Sequence, residues 1–140
     1  MDSTFPSIRI AAGLIVDGAG RVLLVRKRGT KTFMQAGGKI EKDETPYDAL
    51  ARELEEELGL RLDPAAPEYL GEFTAVAANE AQHMVKAAVF YIRSDAALYP
   101  AREIDEIKWI TPGDDTLPLA PLTRSLLPIA RQRVESHPIR

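Results

Sequence analysis

Apolar and polar positions alternate between two periods along this chain. Ile8–Val16 (IRIAAGLIV) is a nearly unbroken apolar run, which predicts a buried strand. Asp17, Gly18, Ala19 and Gly20 supply turn chemistry, and Arg21–Lys27 (RVLLVRK) follows as a second strand of a hairpin. Thr30–Ala36 leads to Gly37 and Gly38, read as a glycine-rich loop. The period then changes. Leu50, Leu54 and Leu58 recur every four residues and, with Ala51, predict an amphipathic helix over Pro46–Leu58. Thr45 is its predicted N-cap, Pro46 its first residue and Gly59 its left-handed stop, with Asp48 complementing the N-terminus. Asp63–Pro67 is a connection, Glu68–Ala77 a half-buried strand, Ala78–Gln82 a turn and His83–Arg93 another strand. Ser94–Arg102 reads as a loop and Glu106–Ile110 as a short strand around Ile107 and Trp109, stopped by Thr111, Pro112 and Gly113. Leu122–Val134 is a second amphipathic helix, with a kink or restart expected at Pro128, and Glu135–Arg140 a loose tail. Mixed strands with two helices predict an α/β sandwich.

The polar face of the first helix is unusual. Glu53, Glu56 and Glu57 stand at i, i+3 and i+4, so their carboxylates share one face and repel, at about 0.2–0.5 kcal/mol per pair. They also gather toward the helix C-terminus, where the macrodipole disfavours negative charge. Arg52 offsets part of this through Glu56 at i+4. A solvated acidic face is the ordinary explanation. The preceding segment offers another: Gly37 and Gly38 permit close backbone approach to a ligand, Lys39 adds a cation and Glu44 a further carboxylate. Such an oxygen-rich cluster suits Mg2+ or Mn2+.

From Gly38 through Glu44 and Arg52 to Leu60, the residues resemble a complete Nudix box, G-x5-E-x7-R-E-U-x-E-E-x-G-U with U bulky and aliphatic, filled at every specified position. The resemblance implies a Nudix α/β/α sandwich with a central mixed β-sheet, expected here as one domain over residues 1–140. It implies metal-dependent hydrolysis of a nucleoside diphosphate derivative. The metal would be held by Glu53, Glu56 and Glu57, with the Gly37 or Gly38 backbone nearby. Glu53 is ligand or general base, Glu44 and Arg52 brace the segment against the helix, and Glu55 is dispensable. Nudix enzymes often recruit one more acidic residue from a later loop; Glu103 is the first candidate and Glu106 the second, a solvated acidic loop being the alternative. The family often carries tryptophan and proline ahead of the glycine pair, where Phe33 and Ala36 stand here.

Arg26, Lys27 and Arg28 leave the second strand together, and Arg26, Arg28 and Lys39 are the candidates for clamping substrate phosphates. Net charge of −3 argues against a nucleic-acid polymer as partner, though not against a nucleotide. Without cysteine there is no thiolate chemistry or disulfide. The two histidines, His83 and His137, are far apart and read as surface or strand residues. No apolar run reaches the roughly 18 residues of a membrane span, and Met1–Arg9 lacks a signal-peptide core, so a cytoplasmic monomer or homodimer is expected.

Substrate identity follows by elimination. Family members acting on ADP-ribose often have a proline shortly beyond the box, and those acting on dinucleoside polyphosphates a tyrosine; Thr74, Ala75, Val76 and Ala77 supply neither. Those cleaning oxidised dGTP can read the base with an asparagine near the last helix, whereas the single asparagine here, Asn79, is distant from it in sequence. A small MutT-like (d)NTP pyrophosphatase is the first reading. ADP-ribose or another nucleotide conjugate is the alternative, and a non-catalytic regulatory domain the second alternative.

Overall fold

The computed structural model describes residues 6–136. Its elements run β1 (Ser7–Val16), β2 (Val22–Lys27), β3 (Phe33–Met34), β4 (Ala36–Lys39), α1 (Pro46–Leu58), β5 (Glu68–Val76), β6 (Met84–Arg93), β7 (Ile104–Ile110) and α2 (Pro121–Ser136). β1 and β6 pair in parallel from Ser7 opposite Met84 to Val16 opposite Arg93. The other strand pairings are antiparallel, so the sheet is mixed, as the sequence predicts.

The apolar β1 sequence is explained by its place in the middle. Ala11 and Ile15 pack with Leu23, Val25 and the Leu50–Leu54–Leu58 stripe of α1 on one face of the sheet. Ala12, Leu14 and Val16 pack with Val22, Leu24 and Leu122, Leu126 and Ala130 of α2 on the other. A strand covered on both faces needs apolar residues at consecutive positions rather than alternate ones. Each fully buried leucine contributes roughly 1.5–3 kcal/mol, so the α1 stripe alone anchors that helix. None of the helices among the described residues is long and apolar enough to cross a membrane.

The sheet also splits, and the split positions the site. The β1–β2 turn is held by the Asp17 carboxylate, which accepts the N–H groups of Ala19 (3.0 Å) and Arg21 (2.8 Å). Beyond Val16 opposite Val22 the two strands part. β4 takes up β1 at Ile10–Gly13, and β3 takes up β2 at Val25 and Arg26. Gly37 and Gly38 therefore lie in a strand, not in the loop expected from their composition. Gly37 has φ of 144°, and a Cβ there would stand 2.1 Å from the Ala11 carbonyl oxygen. The glycines serve the close approach of β4 to β1 rather than a turn.

Other differences are smaller. β7 begins at Ile104, two residues before the expected start, because its ladder with β2 runs down to Lys27. α2 runs unbroken through Pro128: Leu126, Leu127 and Ala130 are buried against the sheet and hold the helix across the missing backbone donor. Glu135 and Ser136 belong to α2 rather than to a loose tail, while His137 and the remainder of that tail lie outside the described residues.

Candidate active site

α1 is fixed at both ends. The Thr45 hydroxyl accepts the Asp48 N–H (3.0 Å) and the Asp48 carboxylate accepts the Thr45 N–H (3.3 Å), a reciprocal cap, while Gly59 closes the helix with φ of 69°. With its leucines seated on the sheet, the glutamate edge of α1 is turned toward β4.

Glu57 is not on a solvated face. It is 2% exposed, because it lies three residues after Leu54 on the flank of the apolar stripe. Its Oε1 accepts the Gly37 N–H at 3.1 Å, and its Oε2 is buried without a partner. Burial pushes its pKa up to about 8 against the opposing Gly37 hydrogen bond, and the Glu53 charge adds to the rise. Glu53 is also raised, first by burial, against the pull of Arg52. A Cβ at Gly38 would stand 2.5–2.7 Å from the Glu53 carboxyl group, so this carboxylate occupies the space a side chain at position 38 would fill. Glu56 is more exposed, 3.8 Å from Arg52 Nη1.

Arg52 ties the cluster together. Its Nε and Nη2 donate to the two Glu44 carboxylate oxygens at 2.7 and 2.9 Å, its Nη1 to Glu53 at 2.7 Å, and its Nη2 also to the Lys39 carbonyl at 3.0 Å. The Arg52 guanidinium, followed by the Glu41 N–H, holds the Glu44 pKa down to about 2. The fork spans from α1 to the segment after β4, with bidentate geometry that lysine cannot supply. Glu55 points away, exposed and 3.6 Å from Arg61.

The basic residues separate by strand alternation. Arg26 donates to Glu106 (3.1 Å), Asp105 (3.4 Å) and the Thr30 carbonyl (2.9 Å), and Arg28 to the Arg102 carbonyl (3.0 Å). Neither is among the cavity-lining residues described below. Lys27, with the parity of Leu23 and Val25, faces the α1 side, and its charge bears on both Glu53 and Glu57. The three cations are contiguous in sequence, but the pleat sends adjacent side chains to opposite faces. Glu103, in the turn before β7, is exposed, 4.0 Å from Lys27 Nζ, and its charge contributes to the rise at Glu57. Glu106 is engaged by Arg26 and by Lys108 at 3.7 Å.

Beside the glutamates, beyond Gly37 and Gly38, lies a cavity of about 140 Å3. β1, the β3–β4 junction, the β5–β6 turn and the start of α2 all contribute walls. Lys27 and Lys39 line it with apolar residues, Lys39 being largely exposed and 3.6 Å from Glu80. Asn79, distant from α2 in sequence, lines this same cavity together with Leu122 and Thr123 of α2, because the β5–β6 turn folds over it. Gln35, unremarked in the sequence, is another wall. It is buried, accepts the Thr123 hydroxyl at 3.1 Å, and leaves its Nε2 without a partner.

Among the described residues, no three acidic or histidine side chains converge as a ready metal cage. The donor chemistry nevertheless fits a hard divalent cation. All three box carboxylates are oxygen donors on one helix edge, and Glu57 retains a buried oxygen that nothing in the protein satisfies.

Comparison with known proteins agrees with this layout. A MutT-like protein of Streptomyces ambofaciens is 33% identical over 104 residues, 74% of this chain and 63% of that protein. The 8-oxo-dGTP diphosphatase of Haemophilus influenzae is 42% identical over 57 residues, 38% of this chain and 42% of that one. The chain thus spans about three-fifths of the first relative (63%) and under half of the second (42%). The solution structure of the E. coli ORF135 protein superposes with a TM-score of 0.72 at 26% identity, covering 100% of this chain and 99% of that one. Residues 7–128 match the NUDIX domain, and the chain belongs to that family.

Proposed function

We propose that this chain hydrolyses the diphosphate linkage of a nucleoside diphosphate derivative with the help of Mg2+ or Mn2+, and that the substrate is a (d)NTP released as a nucleoside monophosphate. The observation that carries the reading is Glu57. A carboxylate is kept out of water, one oxygen on the N–H of Gly37, which lines the cavity, and the other unpartnered, beside two further carboxylates. A helix evolved for stability alone would place leucine there. Glu56 and Glu57 would hold the metal, with Glu53 as a further ligand or as the general base and the Gly37 or Gly38 backbone alongside. When bound, such an ion neutralises charge on phosphate oxygens and acidifies water.

The chain's own groups then divide the remaining work. A water oxygen adds to one phosphorus of the anhydride, the bridging P–O bond breaks, and the water's proton passes to a carboxylate. Glu53 suits that role, since burial raises its affinity for a proton; Glu103, beyond Lys27, is the second candidate. Arg52 keeps Glu53 aimed by holding Glu44 and the Lys39 carbonyl at the same time. Lys27 and Lys39 line the cavity and are placed to meet substrate phosphates. Arg26 and Arg28 are committed to protein acceptors and serve the β2–β7 edge instead. A nucleotide rather than a bare phosphate ester is supported by the apolar cavity beside the carboxylates and by the 8-oxo-dGTP diphosphatase among the relatives.

The test is a panel of canonical and oxidised (d)NTPs, ADP-ribose, dinucleoside polyphosphates and nucleotide sugars, incubated with and without Mg2+ or Mn2+, with product identification. Metal-dependent release of monophosphate and pyrophosphate from a (d)NTP is expected. Cleavage confined to ADP-ribose or another conjugate would replace the substrate assignment. Saturable nucleotide binding without turnover would make this a regulatory domain and overturn the hydrolytic reading.

A further inference from the structure

The mechanism above leaves one buried polar group unused: the side-chain amide of Gln35. The residue is 7% exposed, lies between β3 and β4, and forms part of the cavity wall. The Thr123 hydroxyl donates to its Oε1 at 3.1 Å across 88 positions of sequence. The amide is placed with Oε1 on that hydroxyl, and Nε2 has no acceptor. Two N–H donors out of water with nothing to bond cost stability, and a hydrophobic residue of similar length would remove the cost. Ile8, Ile10, Ala12, Val85 and Leu122 give the cavity apolar walls, and Lys27, Lys39, Asn79 and Glu80 add polar groups. A largely apolar chamber with an anchored amide whose donor is unspent suits a flat ring that carries a hydrogen-bond acceptor. The size agrees: a cavity of about 150 Å3 accepts a benzene ring, and this one is about 140 Å3.

We propose that Gln35 is a specificity-determining residue: held by Thr123, its Nε2 donates to a carbonyl oxygen or ring nitrogen of the substrate's nucleobase, whose six-membered ring enters the cavity between the β1 and α2 walls. This rests on the nucleotide reading above and deepens it. The lining residues then divide the substrate between them. Gly37, Gly38 and Lys27 border the phosphates, while Gln35 and Thr123 meet the base. The role is recognition, so it acts on binding more than on the chemical step.

The experiment compares wild type with Gln35→Met, close in length and unable to donate, on the four dNTPs and on abasic deoxyribose 5′-triphosphate with Mg2+. The preferred dNTP should lose about 10- to 100-fold in kcat/KM, the span expected for one buried hydrogen bond, chiefly through KM. The abasic compound should be turned over equally by both proteins. Gln35→Glu, which replaces the donor by an acceptor, should reorder the dNTP ranking. Metal-free Gln35→Met should unfold at no lower denaturant concentration than wild type. An equal loss on base-bearing and abasic substrates, or an unchanged dNTP ranking in both variants, would overturn the role of Gln35 while leaving nucleotide hydrolysis standing. Absence of turnover of any dNTP by wild type would instead remove the reading on which the inference rests.

Discussion

Glu57→Gln changes the protein by one charge at a site where charge is expensive. The Glu57 pKa rises from 4.5 to about 8 in the folded protein, and each unit corresponds to about 1.4 kcal/mol. The folded chain therefore binds more protons than the unfolded chain between these two values, and stability must fall as pH rises through them. Below pH 4.5 the penalty is absent. Above about pH 8 it is complete, and the shift sets it at up to roughly 4–5 kcal/mol. Glutamine carries no such term. Its amide keeps the Gly37 N–H as a donor but leaves an unsatisfied NH2 where Oε2 was, which costs about 1–3 kcal/mol at every pH. The difference between the two proteins should thus change sign: the variant is equal or weaker at pH 5, and stronger by a few kcal/mol at pH 9. Urea unfolding with EDTA at pH 5, 7 and 9 measures this. A stability difference that does not vary with pH would refute the placement of Glu57 as a desolvated carboxylate.

Further consequences follow from neighbouring contacts. Gly38→Ala would put a Cβ where the Glu53 carboxyl group lies; turnover should collapse while circular dichroism stays native. Gly37→Ala meets the Ala11 carbonyl at 2.1 Å at φ of 144°, so the fold itself should lose about 3 kcal/mol or more, read as a lowered unfolding midpoint. Arg52→Lys breaks the fork on Glu44. Because the Glu44 pKa is depressed to about 2, its contribution is present above its ordinary value and lost as pH falls toward 2; the variant should show a weaker acid-limb decline in stability than wild type. Glu55→Gln, on the exposed side of α1, should stay within about 0.5 kcal/mol of wild type in stability and keep its turnover.

Much of the fold was legible because its signals are local. α1 is bounded as expected, since cap, proline, leucine period and glycine stop all act within one segment. The apolar runs of β1 and β6 and the mixed pattern of β5 placed those strands to within a residue at each end. β3 and β4 were not legible. The glycine pair has loop composition, and only the partnership of Gly37 and Gly38 with Ala12 and Ala11, a pairing between distant segments, makes it a strand. The burial of Glu57 could have been read, because i+3 from Leu54 lies on the apolar flank; its charge argued the other way and misled. Lys27 was hidden by its neighbours, as composition grouped three cations that the pleat divides. Gln35 and Thr123 carry no motif, and nothing short of the tertiary fold brings them together.

The proposed function requires the glutamate edge of α1 to work as a metal-dependent hydrolytic site. Turnover of a (d)NTP, measured across a Mg2+ titration for wild type, Glu57→Gln and Glu55→Gln side by side, tests it most directly. Loss of a group that merely orients a metal ligand costs 10- to 100-fold, so loss of the ligand itself should cost about 100-fold or more. That fall is expected in Glu57→Gln, with no turnover without metal and a Glu55→Gln rate close to wild type. Glu57→Gln turnover equal to that of Glu55→Gln, or wild-type activity that survives EDTA, would contradict it.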